Sequence, residues 1–349
     1  MRPALRHIFL FVLLAAALQA CSLVDEDMRD CETDYNLDYE LRLVTNMTTE
    51  LQTQLSMEMA ADVVVSNTLK TQLSKIFTDY AHDVDLGFYD VQGDSTILHH
   101  ESHIMNANQS SYTLYIPVRR YMHLASANVE ENPSLSVVNG DICHKAQLMQ
   151  EVRDTVPSHT AGCFTARLPM DVLEGVDQQF DVRLYMVNCA TAVLVDTVGT
   201  GLRDVKVFLS GMATSFDLCD SVYHFNYNPI VRSNVVPMLE SPGRTCSVAV
   251  SFPSRQPEDS KVIIDIDDPY ATVGGGAASL WQIRLYCTLP NGTVTETILG
   301  MTRPLHAGQF KLLKAKARPN GIIDPGDPSV VVVSVEQEWA PGLEIPVDL

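Results

Sequence analysis

Trp281, Ile283, Leu285, Cys287 and Leu289 place an apolar residue at every second position, and the intervening residues include Gln282, Arg284 and Thr288. Only an extended chain turns alternate side chains to one face, so this spacing commits the segment to a half-buried β-strand. The same period recurs over Leu37, Tyr39, Leu41 and Leu43, over Val84, Leu86 and Phe88, and over Tyr112, Leu114 and Ile116. It returns in Phe180 to Met186, Val205 to Leu209, Cys246 to Phe252 and Val262 to Ile266. Asn139-Gly140, Asn291-Gly292 and Asn320-Gly321 punctuate the strands, because Asn-Gly accepts the positive φ angles of a tight hairpin. Helical spacing is scarce. Leu69, Leu73, Ile76 and Phe77 predict one helix over 66–80, and Ile142 to Val152 is expected to form a second with Asp141 as its cap. Many strands, frequent turns and few helices predict an all-β chain of antiparallel sandwiches with one or two short helices. A turn at Glu174-Gly175 divides it into an N-terminal sandwich over 36–174 and a C-terminal sandwich over 175–349.

The first twenty residues have a different character. Arg2 and Arg6 precede an unbroken apolar stretch from Ile8 to Leu18, the pattern of an export signal too short to span a membrane. Leu18-Gln19-Ala20-Cys21 resembles the bacterial lipobox, in which signal peptidase II cuts before the Cys and lipid is attached to it. The resemblance implies that residues 1–20 are a lipoprotein signal peptide and that Cys21 becomes a lipidated first residue, held by palmitate-like acyl chains. Several chains on one residue anchor stably where one is marginal. Loss of residues 1–20 from the 349 leaves 329, and loss of Arg2 and Arg6 takes the formal charge from −19 to −21. Residues 21–35 form an acidic tether with Asp25, Glu26, Asp27, Asp30, Glu32 and Asp34 against Arg29. This stretch resembles the surface-export signal of Bacteroidota lipoproteins, which implies display on the outer membrane facing the cell exterior. So acidic a chain repels polyphosphates, and no nucleic-acid partner is expected.

The residues that invite chemistry favour plainer readings. His99-His100-Glu101-Ser102-His103 has the ligand types of zinc, but a zincin places Glu beside the first of two His on a helix. Here Glu101 lies midway between His99 and His103, and a solvated polar face is the stronger expectation. Asp265, Asp267 and Asp268 lack calcium-loop spacing, and Gly274-Gly275-Gly276 lacks the Lys-Ser/Thr of a phosphate loop. No G-x-S-x-G elbow occurs. Lys311, Lys314, Lys316 and Arg318 read as a solvated strand edge. Besides Cys21 there are seven cysteines with no C-x-x-C, an odd number whose pairing the sequence leaves open. A non-enzyme is expected, with no catalytic residue, no metal, no cofactor and no small-molecule substrate.

The chain resembles the anchor and assembly lipoproteins of Bacteroidota fimbriae, the FimB-type partners of fimbrillins. The likeness begins at the lipobox and continues through the Leu37–Thr45 strand, Val84-Asp85-Leu86-Gly87-Phe88-Tyr89-Asp90, and Tyr112–Pro117 with Arg120-Tyr121. It resumes at Leu280-Trp281-Gln282-Ile283, Leu289-Pro290-Asn291-Gly292, His306 to Lys311 and Trp339-Ala340-Pro341-Gly342. The resemblance implies two tandem transthyretin-like sandwiches and a structural role at the base of a fimbrium, with fimbrillin-type stalk subunits as partners. Such subunits join by β-augmentation, in which one chain's strand fills another's groove. An anchor's own groove is, by resemblance, closed by its uncleaved N-terminal strand, here Leu37 to Thr45. The candidate partner-binding strand is the β-prone run Val330, Val331, Val332, Val333 and Val335, followed by Trp339. Its plain alternative is an ordinary last strand. The rival function is a surface glycan-binding or adhesin lipoprotein, which is expected to expose Trp and Tyr. A secreted hydrolase ranks last.

Overall fold

The clearest alternating segment forms the clearest hairpin. Trp281–Thr288 and Val294–Met301 pair antiparallel from end to end, and Gly292 in the turn takes a φ of +86°. A computed structural model describes residues 34–43, 63–76, 83–104, 111–256, 279–301, 303–325 and 331–339. In chain order the first strands are β1 (Asp34–Leu43), β2 (Asp83–Asp90), β3 (Ile97–Ile104), β4 (Ser111–Pro117), β5 (Arg120–Ala127), β6 (Leu135–Val138) and β7 (Gln147–Gln150). Then come β8 (Thr155–Pro157), β9 (Phe164–Asp171), β10 (Gln178–Met186), β11 (Cys189–Asp196), β12 (Asp204–Ser210), β13 (Ser215–Asp217), β14 (Val222–His224) and β15 (Ile230–Arg232). The last are β16 (Asn234–Val236), β17 (Arg244–Ser251), β18 (Trp281–Thr288), β19 (Val294–Met301), β20 (Phe310–Ala317), β21 (Ile323–Pro325) and β22 (Val331–Trp339).

Two sandwiches result. In the first, a layer ordered β3-β2-β5-β9 faces a layer ordered β10-β1-β4. The layers join at a corner where Tyr185 and Met186 pair with Thr165 and Phe164. Leu86, Phe88, Leu114, Ile116, Phe164 and Leu184 fill the space between them. In the second, β16-β17-β11-β20-β21 faces β22-β19-β18-β12-β15-β8. Its core includes Val193, Val207, Trp281, Ile283, Leu285 and Leu313. The Trp281 indole is buried and donates to the Arg303 carbonyl at 2.9 Å, so its one polar atom is satisfied. The sheets are mixed rather than antiparallel. β1 with β10, β11 with β20, and β8 with β15 all run parallel. Parallel neighbours need long crossovers, and local turn signals do not reveal them.

One of the two expected helices forms. Helix α1 (Val63–Ile76) lays Val65, Leu69 and Leu73, all fully buried, on the outer face of the β11 and β17 strands against Ala192, Val248 and Val250. Each such side chain contributes about 1.5–3 kcal/mol on burial, more than an isolated fourteen-residue helix gains from propensity. The Gly162 amide donates to the Ile76 carbonyl at 2.9 Å and fastens the helix end. Residues 77–80 lie outside the described residues. The expected helix over Ile142 to Val152 is instead a 3₁₀ turn, Cys143–Lys145, followed by strand β7. Asp141 does not cap it: Ile142 occupies the cap position in extended conformation with no side-chain bond. Ladder bonds to β6 and β13, with Leu148 fully buried, outweigh a marginal local helix.

Elements cross the expected turn at 174 in both directions. β10 follows it but completes the first sandwich, whereas α1 and β8 precede it and pack into the second. A fourth sheet, β14-β13-β7-β6, and its core of Leu124, Leu148, Phe216 and Phe252 draw on both halves. A buried polar knot sits beside it. The Asn188 side chain accepts from the Cys163 amide at 2.5 Å and donates to His159 Nδ1 at 2.6 Å. The His159 amide donates to the Val250 carbonyl at 2.9 Å.

Burial holds the His159 imidazole down at about 3. It holds His123 down at about 4, against the opposing effect of a bond from its Nδ1 to the Gly87 carbonyl at 3.0 Å. Both are depressed bases. Their contribution is full above the ordinary histidine value of about 6.5 and shrinks as pH falls toward these values. Urea unfolding is therefore expected to lose stability from pH 7.5 to pH 5, by up to about 1.4 kcal/mol per pH unit per histidine below that value. His159→Gln is expected to flatten the slope. An unchanged slope in that variant would remove His159 from the account.

Candidate functional site

β1 lies in the middle of its layer. On one side it runs parallel to β10 over seven positions, from Leu37 opposite Gln178 to Leu43 opposite Leu184. On the other it runs antiparallel to β4 over seven positions, from Asp34 opposite Pro117 to Glu40 opposite Ser111. Period two fixes the face once register is set. Leu37 and Tyr39 share register with Leu114 and Tyr112, and Leu41 and Leu43 with Val182 and Leu184. Leu114, Val182 and Leu184 are buried in the core, so the register aligns the apolar positions of β1 with the core face. The exposed Asp38 carboxylate, on the opposite face, accepts a long bond from the Thr113 hydroxyl at 3.5 Å. β4 has no other neighbour in its sheet among the described residues, and β10 meets β9 only at the corner. Without β1 the layer has a gap one strand wide. The expected groove-closing segment, Leu37 to Thr45, thus coincides with an inserted strand through Leu43; residues 44–45 lie outside the described residues.

The expected partner-binding run lies on β22, which among the described residues is the outermost strand of its six-stranded sheet. β22 pairs with β19 from Val331 opposite Met301 to Trp339 opposite Val294, with a bulge between Leu299 and Met301. Val331, Val332, Val333, Val335 and Trp339 therefore sit on an edge strand, while Val330 lies outside the described residues. Cys21 also lies outside them, thirteen positions before Asp34.

His99, Glu101 and His103 share the inward face of edge strand β3. The Glu101 carboxylate meets His99 Nε2 at 2.6 Å through one oxygen and His103 Nε2 at 2.8 Å through the other. Partial burial raises the Glu101 carboxyl, but the two imidazole bonds and their charge outweigh it and hold it below its ordinary value. The His103 ring lies tilted against Tyr112 of β4 with centroids 4.4 Å apart, and His99 lies 5.7 Å from Phe88. The motif closes the rim between the two edge strands. Its carboxylate is engaged by both imidazoles, and among the described residues no group of His, Cys, Asp or Glu is arranged to hold a metal. Asp265 to Asp268 and Gly274 to Gly276 lie outside the described residues. Lys314, Lys316 and Arg318 are exposed, with Arg318 paired to Asp324 at 2.6 and 2.8 Å. β21 covers only the last three positions of β20, so the basic strand is an open edge over its first part among the described residues.

Sequence reasoning missed two exposed aromatics. Tyr115 on β4 is 62% exposed and Tyr185 on β10 is 56% exposed. Both stand on the outer face of the layer that holds β1. The alternation that predicts these strands also marks both residues as outward-facing. Among the described residues no helix is long and apolar enough to cross a membrane.

Neither a family model nor a curated protein matches the sequence. Among solved structures, the chain is similar to a candidate polysaccharide-binding protein from Bacteroides thetaiotaomicron, at 9% identity and a TM-score of 0.49 over 84% of this chain and 96% of that one. It is similar to the fimbrial anchor protein Mfa2 from Porphyromonas gingivalis at 9% identity and 0.43, over 87% and 98%. It is also similar to the tip fimbrial protein Mfa3 from the same organism, with C-terminal truncation, at 10% identity and 0.42, over 88% and 100%.

Deleting Asp34 to Leu43 is expected to abolish cooperative unfolding of the first sandwich. Ladder bonds at about 0.5–1.5 kcal/mol each on both edges, with the apolar burial, rival a whole domain's stability of about 5–15 kcal/mol. Dye binding and calorimetry read the loss, and a synthetic peptide of residues 34–43 added in excess is expected to restore the transition. A deletion variant that melts like the intact protein would contradict the insertion.

Proposed function

We propose that this protein is a lipid-anchored structural subunit at the base of a cell-surface fimbrium, held on the outer membrane through Cys21 and facing the exterior. It joins fimbrillin-type subunits by β-strand contacts and ends the chain of strand exchange. The observation that carries this reading is the placement of β1. A subunit that receives a strand from its neighbour needs an open groove, whereas here the chain's own strand occupies the gap on both edges. A closed groove suits the last member of an assembly, and the tether from Cys21 leads directly into the strand that closes it. Among the described residues no strand pairs with the outer edge of β22, and that edge is where a further strand adds in this reading. The role is non-catalytic.

A second reading, a surface adhesin or glycan-binding lipoprotein, draws on exposed Tyr115 and Tyr185 on one sheet face. Trp281 does not serve it, being buried in the second core.

Truncation from Ser329 removes β22 and the tail. In cells where the truncated lipoprotein still folds, fimbriae are expected in the medium rather than on the surface. Cys21→Ala is expected to move the protein and any bound fimbrillin out of the detergent-soluble membrane fraction. Pull-down from solubilised membranes separates the readings: fimbrillin-type subunits recovered with the intact chain and lost on truncation support the anchor. Recovery of none by either form overturns it, and glycan binding lost in Tyr115→Ala then favours the adhesin.

A further inference from the structure

Cys143 and Cys219 lie seventy-six positions apart, and their sulfurs approach to 3.1 Å. They are not neighbours by chance of a loose surface. Cys143 opens the 3₁₀ turn, and its amide donates to the Ser95 carbonyl at 2.8 Å. Cys219 follows β13, which pairs with β7 from Ser215 opposite Met149 to Asp217 opposite Gln147. The Leu218 amide then extends that ladder to the Ala146 carbonyl at 3.0 Å. Backbone bonds on both sides therefore hold the two thiols face to face. Cys143 is buried in the core shared by the two halves, and Cys219 is half-buried against the same core.

The other described cysteines are different. Cys163, Cys189, Cys246 and Cys287 are fully buried. The Cys163 sulfur meets the Asn132 amide and the Asn128 carbonyl, and the Cys189 sulfur meets Ser251 and Phe252. Among the described residues no other pair of sulfurs is in contact. Among the six described cysteines one pair is thus placed for bonding.

We infer that Cys143 and Cys219 form a structural disulfide in the exported protein. A disulfide bond is about 2.05 Å long, so the sulfurs have to close by only about 1 Å, within the reach of side-chain rotation. The inference rests on export to an oxidising compartment, where such bonds persist. The oxidant is a disulfide of the form RSSR, either a thiol oxidoreductase or a small-molecule disulfide. The half-buried Cys219 attacks first as thiolate, forming a mixed disulfide and expelling one RS⁻. Cys143 sulfur then attacks Cys219 Sγ and expels the second RS⁻. The two thiol protons end on the two released RSH, and two electrons pass from the cysteine pair to RSSR. Cys143 takes the second step because it is buried away from an external disulfide and its sulfur already lies 3.1 Å from that of Cys219. The bond would join a turn of the first half to the β13–β14 hairpin of the second, beside the core that both halves share.

The test uses the full-length protein purified from membranes, alkylated with iodoacetamide without reduction, digested and read by mass spectrometry. The expected result is one cross-linked peptide carrying Cys143 and Cys219, lighter by two hydrogens than the reduced pair, with Cys163, Cys189, Cys246 and Cys287 free. Reduced protein treated with oxidised glutathione is expected to regain the same cross-link. This arm does not depend on where the cell places the protein, so a failure of export and a failure of pairing are distinguishable. Dithiothreitol is expected to lower Tm in the intact protein and to leave Tm unchanged in the Cys143→Ser, Cys219→Ser double variant; if that variant does not fold, the cross-link maps decide. Alkylation of both residues in the membrane-derived protein, with no cross-link after glutathione, would overturn the inference. So would a bond from either residue to Cys31.

Discussion

A strand bonded along both edges is the constraint from which the first sandwich follows. Among the described residues β1 is the one neighbour of β4 in its sheet, and it occupies the long edge of β10. Register then does the rest. Because side chains alternate, aligning Leu37 with Leu114 and Leu43 with Leu184 puts every apolar position of β1 on the core side and leaves Asp38 and Glu40 on the other. A slip of one residue would turn the positions of Asp38 and Glu40 to the core side.

β1 is held by two ladders, one parallel to β10 and one antiparallel to β4, so strands from both halves of the chain hold it. β10 leads within three residues into β11, the strand at the centre of the second sandwich, where it is flanked by β17 and β20. Asn188 stands in that short connection and bonds to Cys163 and His159. Buried polar groups that are paired in this way fix one arrangement of the surrounding backbone, since any shift leaves a donor or acceptor unmatched in a low-dielectric interior.

Legibility in the sequence follows burial. A strand with one wet face, such as β4, shows clean alternation and is found; β18 also alternates in sequence, although only Arg284 and Thr288 of its eight residues escape full burial. β11 reads Cys-Ala-Thr-Ala-Val-Leu-Val-Asp and is buried at every position but the last, because the second core covers one face and α1 the other. Its period is erased, and it escapes a search for alternation. The run Cys246, Val248 and Val250 is visible, but the face it marks packs on the helix rather than on the sandwich core. The segment from Ile142 to Val152 carries helical spacing, yet two neighbouring strands recruit it into a ladder. The inserted strand itself is legible as a strand. Its pairing with β10 is not, since Leu37 opposite Gln178 is a contact across 141 positions with no local signal.

Hydrogen exchange tests the insertion most directly. In the intact protein, amides of residues 34–43 are expected to exchange as slowly as those of residues 111–117 and 178–184, because all three strands share one set of ladder bonds. They should also open together when mild denaturant is added. Rapid, unprotected exchange over 34–43 beside slow exchange in the other two strands would contradict the account, for it would mean that the layer stands without its middle strand.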